Sequence, residues 1–147
     1  MTTYIGIDVS KKKLDIFIKS ENKYYSVQNN VKAINDFIQT LNCKGYKKDA
    51  IVGLESTGKY HLDMFEQMSL QGYKVCVLNP KRVHNFFKAY GDIAKTDKKD
   101  AKLIAAFLEK MNPKVTSFSQ KNKELRELFT RRNQLVTSSV VQKCHLE

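Results

Sequence analysis

The chain opens with two short apolar stretches separated by a polar turn. Residues 4–9 and 14–19 each have strand length, and the turn Ser10-Lys11-Lys12-Lys13 lies between them. This pattern predicts a β-hairpin. A third apolar stretch, Tyr24–Val27, lies between polar segments that contain turn-forming asparagines. The first thirty residues therefore predict a three-stranded meander.

The middle of the chain alternates between helical and strand patterns. An amphipathic helix is predicted where apolar residues recur at helical spacing, at Val31, Ile34, Phe37, Ile38 and Leu41. Residues 50–54 and 74–78 are continuous apolar runs typical of buried strands, and residues 60–70 predict a helix between them that ends before Gly72. Strands that alternate with helices favour right-handed crossovers and parallel pairing. The predicted class is α/β, with a mixed five-stranded sheet flanked by helices.

Helical patterns fill the second half of the chain. Pro80 can begin a short helix, and a second helix is predicted from Asp97 to Met111, where Asn112-Pro113 ends it. A long C-terminal helix is predicted over Asn122–His145, with a broad apolar stripe typical of a helix that packs against a partner. We expect a domain over residues 1–113 followed by a helical connector over residues 114–147.

Charge points to a polyanionic partner. The 147 residues contain 26 Lys and Arg but 15 Asp and Glu, a net charge of +11, and eight of these net charges lie in residues 81–132. Such a balance favours nucleic-acid binding. Since no apolar run approaches the ~20 residues that span a bilayer, we expect no membrane segment and a cytoplasmic location. The three cysteines form no C-x-x-C pair, so neither a disulfide framework nor a zinc site is indicated.

Four carboxylates occupy positions that core packing does not explain. Asp8 lies within an apolar strand, Glu55 directly follows another, and Asp97 and Asp100 open a basic helix. Sites in open α/β sheets form beyond the carboxyl ends of the strands, and clustered carboxylates repel one another unless a cation joins them. We therefore expect this site to bind Mg²⁺ or Mn²⁺. Two such ions can together promote cleavage of a phosphodiester bond.

Each of these carboxylates also has a structural explanation. Asp97 and Asp100 could cap a helix and favour its dipole, and Glu55 could be an ordinary loop residue. Asp8 is harder to explain in this way, because burial of an unpaired charge is costly. Asp15 alternates with Leu14 and Ile16, so we expect it to face solvent and leave it out of the site.

Two other motifs suggest nucleotide chemistry. Residues 53–59 match G-x-x-x-x-G-K, but Tyr60 follows where a P-loop needs Ser or Thr for Mg²⁺. Asp8-Val9-Ser10 faintly resembles the first phosphate loop of actin-like ATPases, although Val9 replaces the expected glycine. An actin-like ATPase is therefore the weaker enzymatic alternative. A noncatalytic module that binds nucleic acid and dimerises is the alternative from another class.

Four segments together resemble a known family. They are Gly6-Ile7-Asp8-Val9-Ser10-Lys11, Gly53-Leu54-Glu55-Ser56-Thr57-Gly58, Val77-Leu78-Asn79-Pro80 and Lys95-Thr96-Asp97-Lys98-Lys99-Asp100-Ala101. In this order they resemble the DEDD-type transposases of bacterial insertion sequences, the insertion sequence 110 family with the Piv-type invertases. The resemblance implies a RuvC-like, ribonuclease-H-like fold. It assigns the catalytic and metal-binding tetrad to Asp8, Glu55, Asp97 and Asp100.

The resemblance also implies partners. It suggests phosphate contacts from Lys81, Arg82, Lys95, Lys98 and Lys99, and it implies double-stranded or branched DNA together with a guide RNA encoded by the element. In this family a helical connector contributes to subunit assembly, so we expect a homodimer through residues 114–147; the alternative is that this helix folds back on its own domain. The family's C-terminal domain supplies a nucleophilic serine. We expect the present chain to lack that domain, and hence complete recombination chemistry.

Overall fold

A computed structural model describes residues 2–89 and 97–119, with Glu124, Glu127, Leu128 and Arg131 further on; for residues 97–99 it describes only the backbone. Within these residues the elements are β1 (Thr3–Val9), β2 (Lys13–Ile18), β3 (Lys23–Gln28), α1 (Val31–Cys43), β4 (Ala50–Glu55), α2 (Leu62–Leu70), β5 (Lys74–Leu78), α3 (Pro80–Ala89) and α4 (Asp97–Met111). The predicted meander, the later strands and the helices between them are confirmed.

The five strands form one mixed sheet in the order β3-β2-β1-β4-β5. β1, β2 and β3 pair antiparallel as the meander requires, whereas β4 lies parallel to β1 and β5 lies parallel to β4. The predicted mixed α/β class is therefore confirmed. Because β1 and β4 are parallel neighbours, their carboxyl ends meet at one edge of the sheet.

Helix α4 covers one face of the sheet, and its backbone lies very close to the strand at Gly6. A Cβ atom added at Gly6 would lie 2.0 Å from the Ala101 carbonyl oxygen and 2.6 Å from the Ala105 nitrogen. At Gly53 an added Cβ would lie 2.7 Å from the side chain of Leu108. The two glycines, which are paired across β1 and β4, let the helix backbone approach the sheet. Around this contact lies a buried core that includes Phe17, Cys76, Val83, Ile104 and Phe107.

The opposite face carries the other half of the alternation, including the fully buried Ile5, Ile7 and Leu54. Helices α1 and α2, which pack against each other, cover this face. The Asn30 side chain caps α1 by accepting a hydrogen bond of 2.8 Å from the Ala33 N–H. Four of the five predicted apolar positions of α1 are buried; Val31, in its first turn, is exposed.

The chain forms two compact units, residues 1–117 and 118–147. In the first unit, the segment after α4 returns to the outer edge of the sheet, where the Thr116 N–H donates to the Val75 carbonyl at 2.8 Å and the Thr116 hydroxyl accepts from the Val77 N–H at 2.9 Å. In the second unit, Glu124, Glu127, Leu128 and Arg131 are helical, whereas Phe118 and Ser119 are not. Most of the predicted helix over Asn122–His145, and with it the predicted dimer contact, lies outside the described residues.

The helices that the structure describes are shorter than a helix that spans a bilayer. α4, the longest of them, has 15 residues and carries Asp97, Asp100 and Glu109 among its lysines. Across the described part of the chain, no helix has the length and apolar character needed to cross a bilayer.

The contact between α4 and Gly6 makes a prediction about stability. We expect Gly6→Ala to lower the free energy of unfolding by about 3 kcal/mol, because the new methyl group meets helix backbone rather than a flexible side chain. Gly53→Ala is the matched control, since its methyl group meets the end of a leucine side chain instead. Urea denaturation of both variants measures the difference. An equal loss of stability in the two variants would contradict a special role for backbone packing at Gly6.

Candidate active site

Asp8 and Glu55 lie side by side at the carboxyl edge of the sheet. β1 and β4 pair in register up to Ile7 and Leu54, and continuing that register by one residue sets Asp8 beside Glu55. Asp8 also shares the face of Gly6, and Glu55 that of Gly53, since side chains two residues apart point the same way. Both carboxylates therefore lie on the face covered by α4, and both are partly buried.

Helix α4 brings a third carboxylate to this edge. Asp100 immediately precedes Ala101, whose carbonyl group lies against Gly6. Burial raises the pKa of Glu55 above its usual range, and the negative charge of Asp100 raises this pKa further. Asp100 is thus close enough to Glu55 to disfavour its charged form. Asp8, Glu55 and Asp100, which are far apart in the sequence, come to the same edge.

Asp97 is the first residue of α4, one turn before Asp100. Residues three apart share a helix face, but the Asp97 side chain is not among those described. Within the described side chains, no three His, Cys, Asp or Glu residues form a ready metal-binding group. The described arrangement is therefore a cluster of partly buried carboxylates rather than a closed coordination shell.

The expectation that Asp15 faces solvent is wrong. Asp15 pairs with Asp8 across the hairpin and is 8% exposed. The alternation along β2 predicts one buried and one solvated face, but α4 packs over β2 as well as over β1, so both faces of β2 are covered. The carboxylate of Asp15 lies 3.6 Å from the ammonium of Lys13. Its position opposite Asp8 adds a further acid beside the site that the sequence pattern does not reveal.

Two polar side chains hold the loops that leave this edge. The Asn29 side-chain amide donates to the Ser10 carbonyl at 2.8 Å and to the Tyr60 carbonyl at 2.9 Å. The buried His61 accepts a hydrogen bond of 3.3 Å from the Thr57 N–H through Nδ1. Asn29 thereby joins the loop after β1 to the loop after β4. The sequence pattern predicts a turn or a helix cap at this asparagine, and no local pattern signals the long-range bonds.

The predicted phosphate-contact residues fall into two groups. Lys81 and Arg82 are exposed in the first turn of α3, which follows β5 at the same edge of the sheet as Glu55. The Arg82 guanidinium lies 6.0 Å from the centre of the Phe107 ring. Lys98 and Lys99 lie in the first turn of α4 but their side chains are not described, and Lys95 lies outside the described residues.

The fold belongs to a known structural class. The chain superposes on T. thermophilus RuvC, solved in complex with a Holliday junction substrate, with a TM-score of 0.52 and 12% sequence identity. The match covers 76% of this chain and 96% of the other. At this identity the likeness shows the fold alone, so the expected RuvC-like, ribonuclease-H-like fold is confirmed.

Sequence comparison identifies the family. The model of the insertion sequence 110 DEDD family, described as "Transposase", matches residues 5–147, and the chain belongs to this family. The chain is also 30% identical, over 114 residues, to the pilin gene-inverting proteins of Moraxella bovis and Moraxella lacunata. These matches cover 76% of this chain but 35% of each relative, so the chain spans about a third of their length.

The raised pKa of Glu55 makes a prediction about pH. The folded protein binds a proton at this carboxyl more tightly than the unfolded chain does, so its contribution to stability is complete at low pH and is lost as pH rises through the raised pKa. We expect Glu55→Gln, which cannot ionise, to have a higher Tm than the wild type in EDTA at about pH 7, with the difference shrinking towards about pH 4. Thermal unfolding across this range measures it.

The control for this experiment is Asp36→Asn, which removes the same charge from an exposed position on α1. We expect this variant to follow the wild type across the pH range. A Glu55→Gln protein that is less stable than the wild type at neutral pH would contradict the electrostatic account.

Proposed function

We propose that this chain is the N-terminal catalytic domain of a DNA transposase, which cleaves and transfers phosphodiester strands during insertion-sequence transposition. The family membership is that of a DEDD transposase. The observation that carries the proposal is the meeting of Asp8, Glu55 and Asp100 at the carboxyl edge of a RuvC-like sheet. Asp97, one helical turn from Asp100, completes the proposed tetrad.

The chemistry of these donors fits a hard divalent cation. Carboxylate oxygens are the ligands that Mg²⁺ and Mn²⁺ prefer. Burial and the nearby Asp100 disfavour the ionised form of Glu55, and a bound cation would stabilise that form. Asp8, Glu55, Asp97 and Asp100 would hold the metal, and four carboxylates supply enough donors for the two ions that the family pattern implies. Bound there, two such ions supply activation of the attacking oxygen and stabilisation of the leaving oxygen.

The remaining residues bind and orient the nucleic acid. Lys81 and Arg82 are exposed beside the carboxyl end of β5, where they can contact phosphates next to the cluster. Lys95, Lys98 and Lys99 are proposed for the same role on the segment that begins α4. The substrate that we propose is double-stranded or branched DNA, in keeping with the junction bound to the RuvC neighbour and with the gene inversion named for the Moraxella relatives.

Assembly and location extend the proposal. We assign residues 1–113 to the catalytic domain and residues 114–147 to a connector through which two copies dimerise. The element-encoded guide RNA associated with this family is proposed as a further partner. A domain that processes bacterial DNA acts in the cytoplasm.

Metal binding tests the proposal. We expect the wild-type protein to bind Mn²⁺ in calorimetric titration, and Asp8→Asn and Glu55→Gln each to abolish the binding heat, because each removes a proposed ligand. At a hundredfold excess of metal over its Kd, the bound ion should stabilise the wild type by about 2.7 kcal/mol, visible as a rise in Tm. The control Asp36→Asn should bind Mn²⁺ like the wild type.

The same titration addresses the noncatalytic alternative. If the acids are only structural, the wild-type protein should show no binding heat and no change in Tm with Mn²⁺ or Mg²⁺, while it still binds DNA. That result would overturn the catalytic proposal. Loss of binding in Asp36→Asn as well as in Asp8→Asn would do the same, since it would trace the metal effect to general surface charge.

A further inference from the structure

The carboxylate cluster creates an electrostatic problem for a polyanionic substrate. Asp8, Glu55, Asp100 and the neighbouring Asp15 all lie near the carboxyl edge of β1 and β4, and their charges repel a phosphate backbone. Cations beside the cluster must therefore hold that backbone. Lys81 and Arg82 do so only on the side of β5. The side of the β1–β2 hairpin needs cations of its own.

Such cations are present at the hairpin turn and at the loop after β4. Lys11 and Lys12 are exposed in the turn that follows Asp8, and Lys59 is exposed in the loop that follows Glu55. In the described part of the chain none of these three lysines forms a salt bridge. Lys13, in contrast, lies 3.6 Å from Asp15. Three cations that are not neutralised by the described residues thus lie beside the acidic edge.

Asn29 joins these two loops by hydrogen bonds. Its side-chain nitrogen donates to the carbonyl of Ser10 and to that of Tyr60, at 2.8 and 2.9 Å, and its backbone N–H donates to the Lys12 carbonyl at 2.9 Å. One residue therefore bonds to the hairpin turn twice and to the Lys59 loop once. Since both side-chain acceptors lie within hydrogen-bond distance of the same nitrogen, the two loops are held in contact.

We propose that Lys11, Lys12 and Lys59, held together by Asn29, form a DNA-backbone binding surface on the hairpin side of the cluster. This surface is called the hairpin rim below. In the sheet order β2-β1-β4-β5, the hairpin turn follows β1 on one side of β4, whereas Lys81 and Arg82 follow β5 on the other side. The inference rests on the proposed function, because it names where that site holds its substrate.

DNA affinity at several salt concentrations tests the hairpin rim. The probes are a fluorescent four-way DNA junction and a duplex of the same arm sequence, titrated in EDTA so that metal binding plays no part. We expect the triple variant Lys11→Ala, Lys12→Ala, Lys59→Ala to bind more weakly. The slope of log K against log salt should become shallower by about 0.9 for each phosphate that the variant no longer neutralises.

The matched control removes three exposed lysines at the amino ends of β4 and β5, as Lys47→Ala, Lys48→Ala, Lys74→Ala. Its net charge is the same, and we expect a slope close to that of the wild type. Asn29→Ala keeps every lysine, and we expect it to weaken DNA binding by separating the two loops. Thermal unfolding checks that each variant is folded at the temperature of the titration.

The outcomes separate this inference from the proposed function. Equal losses of affinity in the two triple variants, or wild-type affinity in Asn29→Ala, would overturn the hairpin rim, while the Mn²⁺ result would still stand for the carboxylates. A triple variant that binds DNA normally but loses affinity for an RNA duplex would also overturn it. Wild-type protein that binds neither DNA probe would overturn the hairpin rim and the DNA-processing function together.

Discussion

The backbone contact between α4 and the sheet at Gly6 is the constraint on which the site depends. With the Ala101 carbonyl where a side chain would otherwise lie, α4 can run directly across β1 and β4. Asp100, one residue earlier, is thereby carried to the edge where Asp8 and Glu55 end their strands. Glycine in a strand costs conformational freedom and packs poorly by itself. Here the helix fills the space that the missing side chain leaves.

The electrostatics of the domain follow from this packing. A protein with a net charge of +11 gathers carboxylates at one partly buried edge, where desolvation and mutual repulsion disfavour the ionised form of Glu55. The same edge is bordered by exposed lysines and an arginine. An acidic centre within basic surroundings suits a metal-dependent enzyme that acts on nucleic acid, because the centre holds cations while the surroundings hold phosphates.

Much of the architecture could be predicted from periodicity. The meander, the two parallel strands and the helices between them appear as apolar runs of recognisable length, and Asp8 and Glu55 stand out because charge within or beside such runs is costly. The RuvC-like fold and the family follow from four short segments whose order is specific. These features depend on local patterns of apolar and charged residues or on short motifs, so they can be recognised from the sequence alone.

Other features depend on which elements become neighbours. The pattern predicts a solvent-facing Asp15 because alternation along β2 cannot reveal that a helix from much later in the chain covers its polar face. The hydrogen bonds from Asn29 to two loops are equally invisible, since they join residues nineteen and thirty-one positions away. The sequence by itself determined the strands, the helices and the acids at the strand ends. Only the tertiary structure decided which carboxylates and loops lie together, because that depends on strand order and on the close approach of α4.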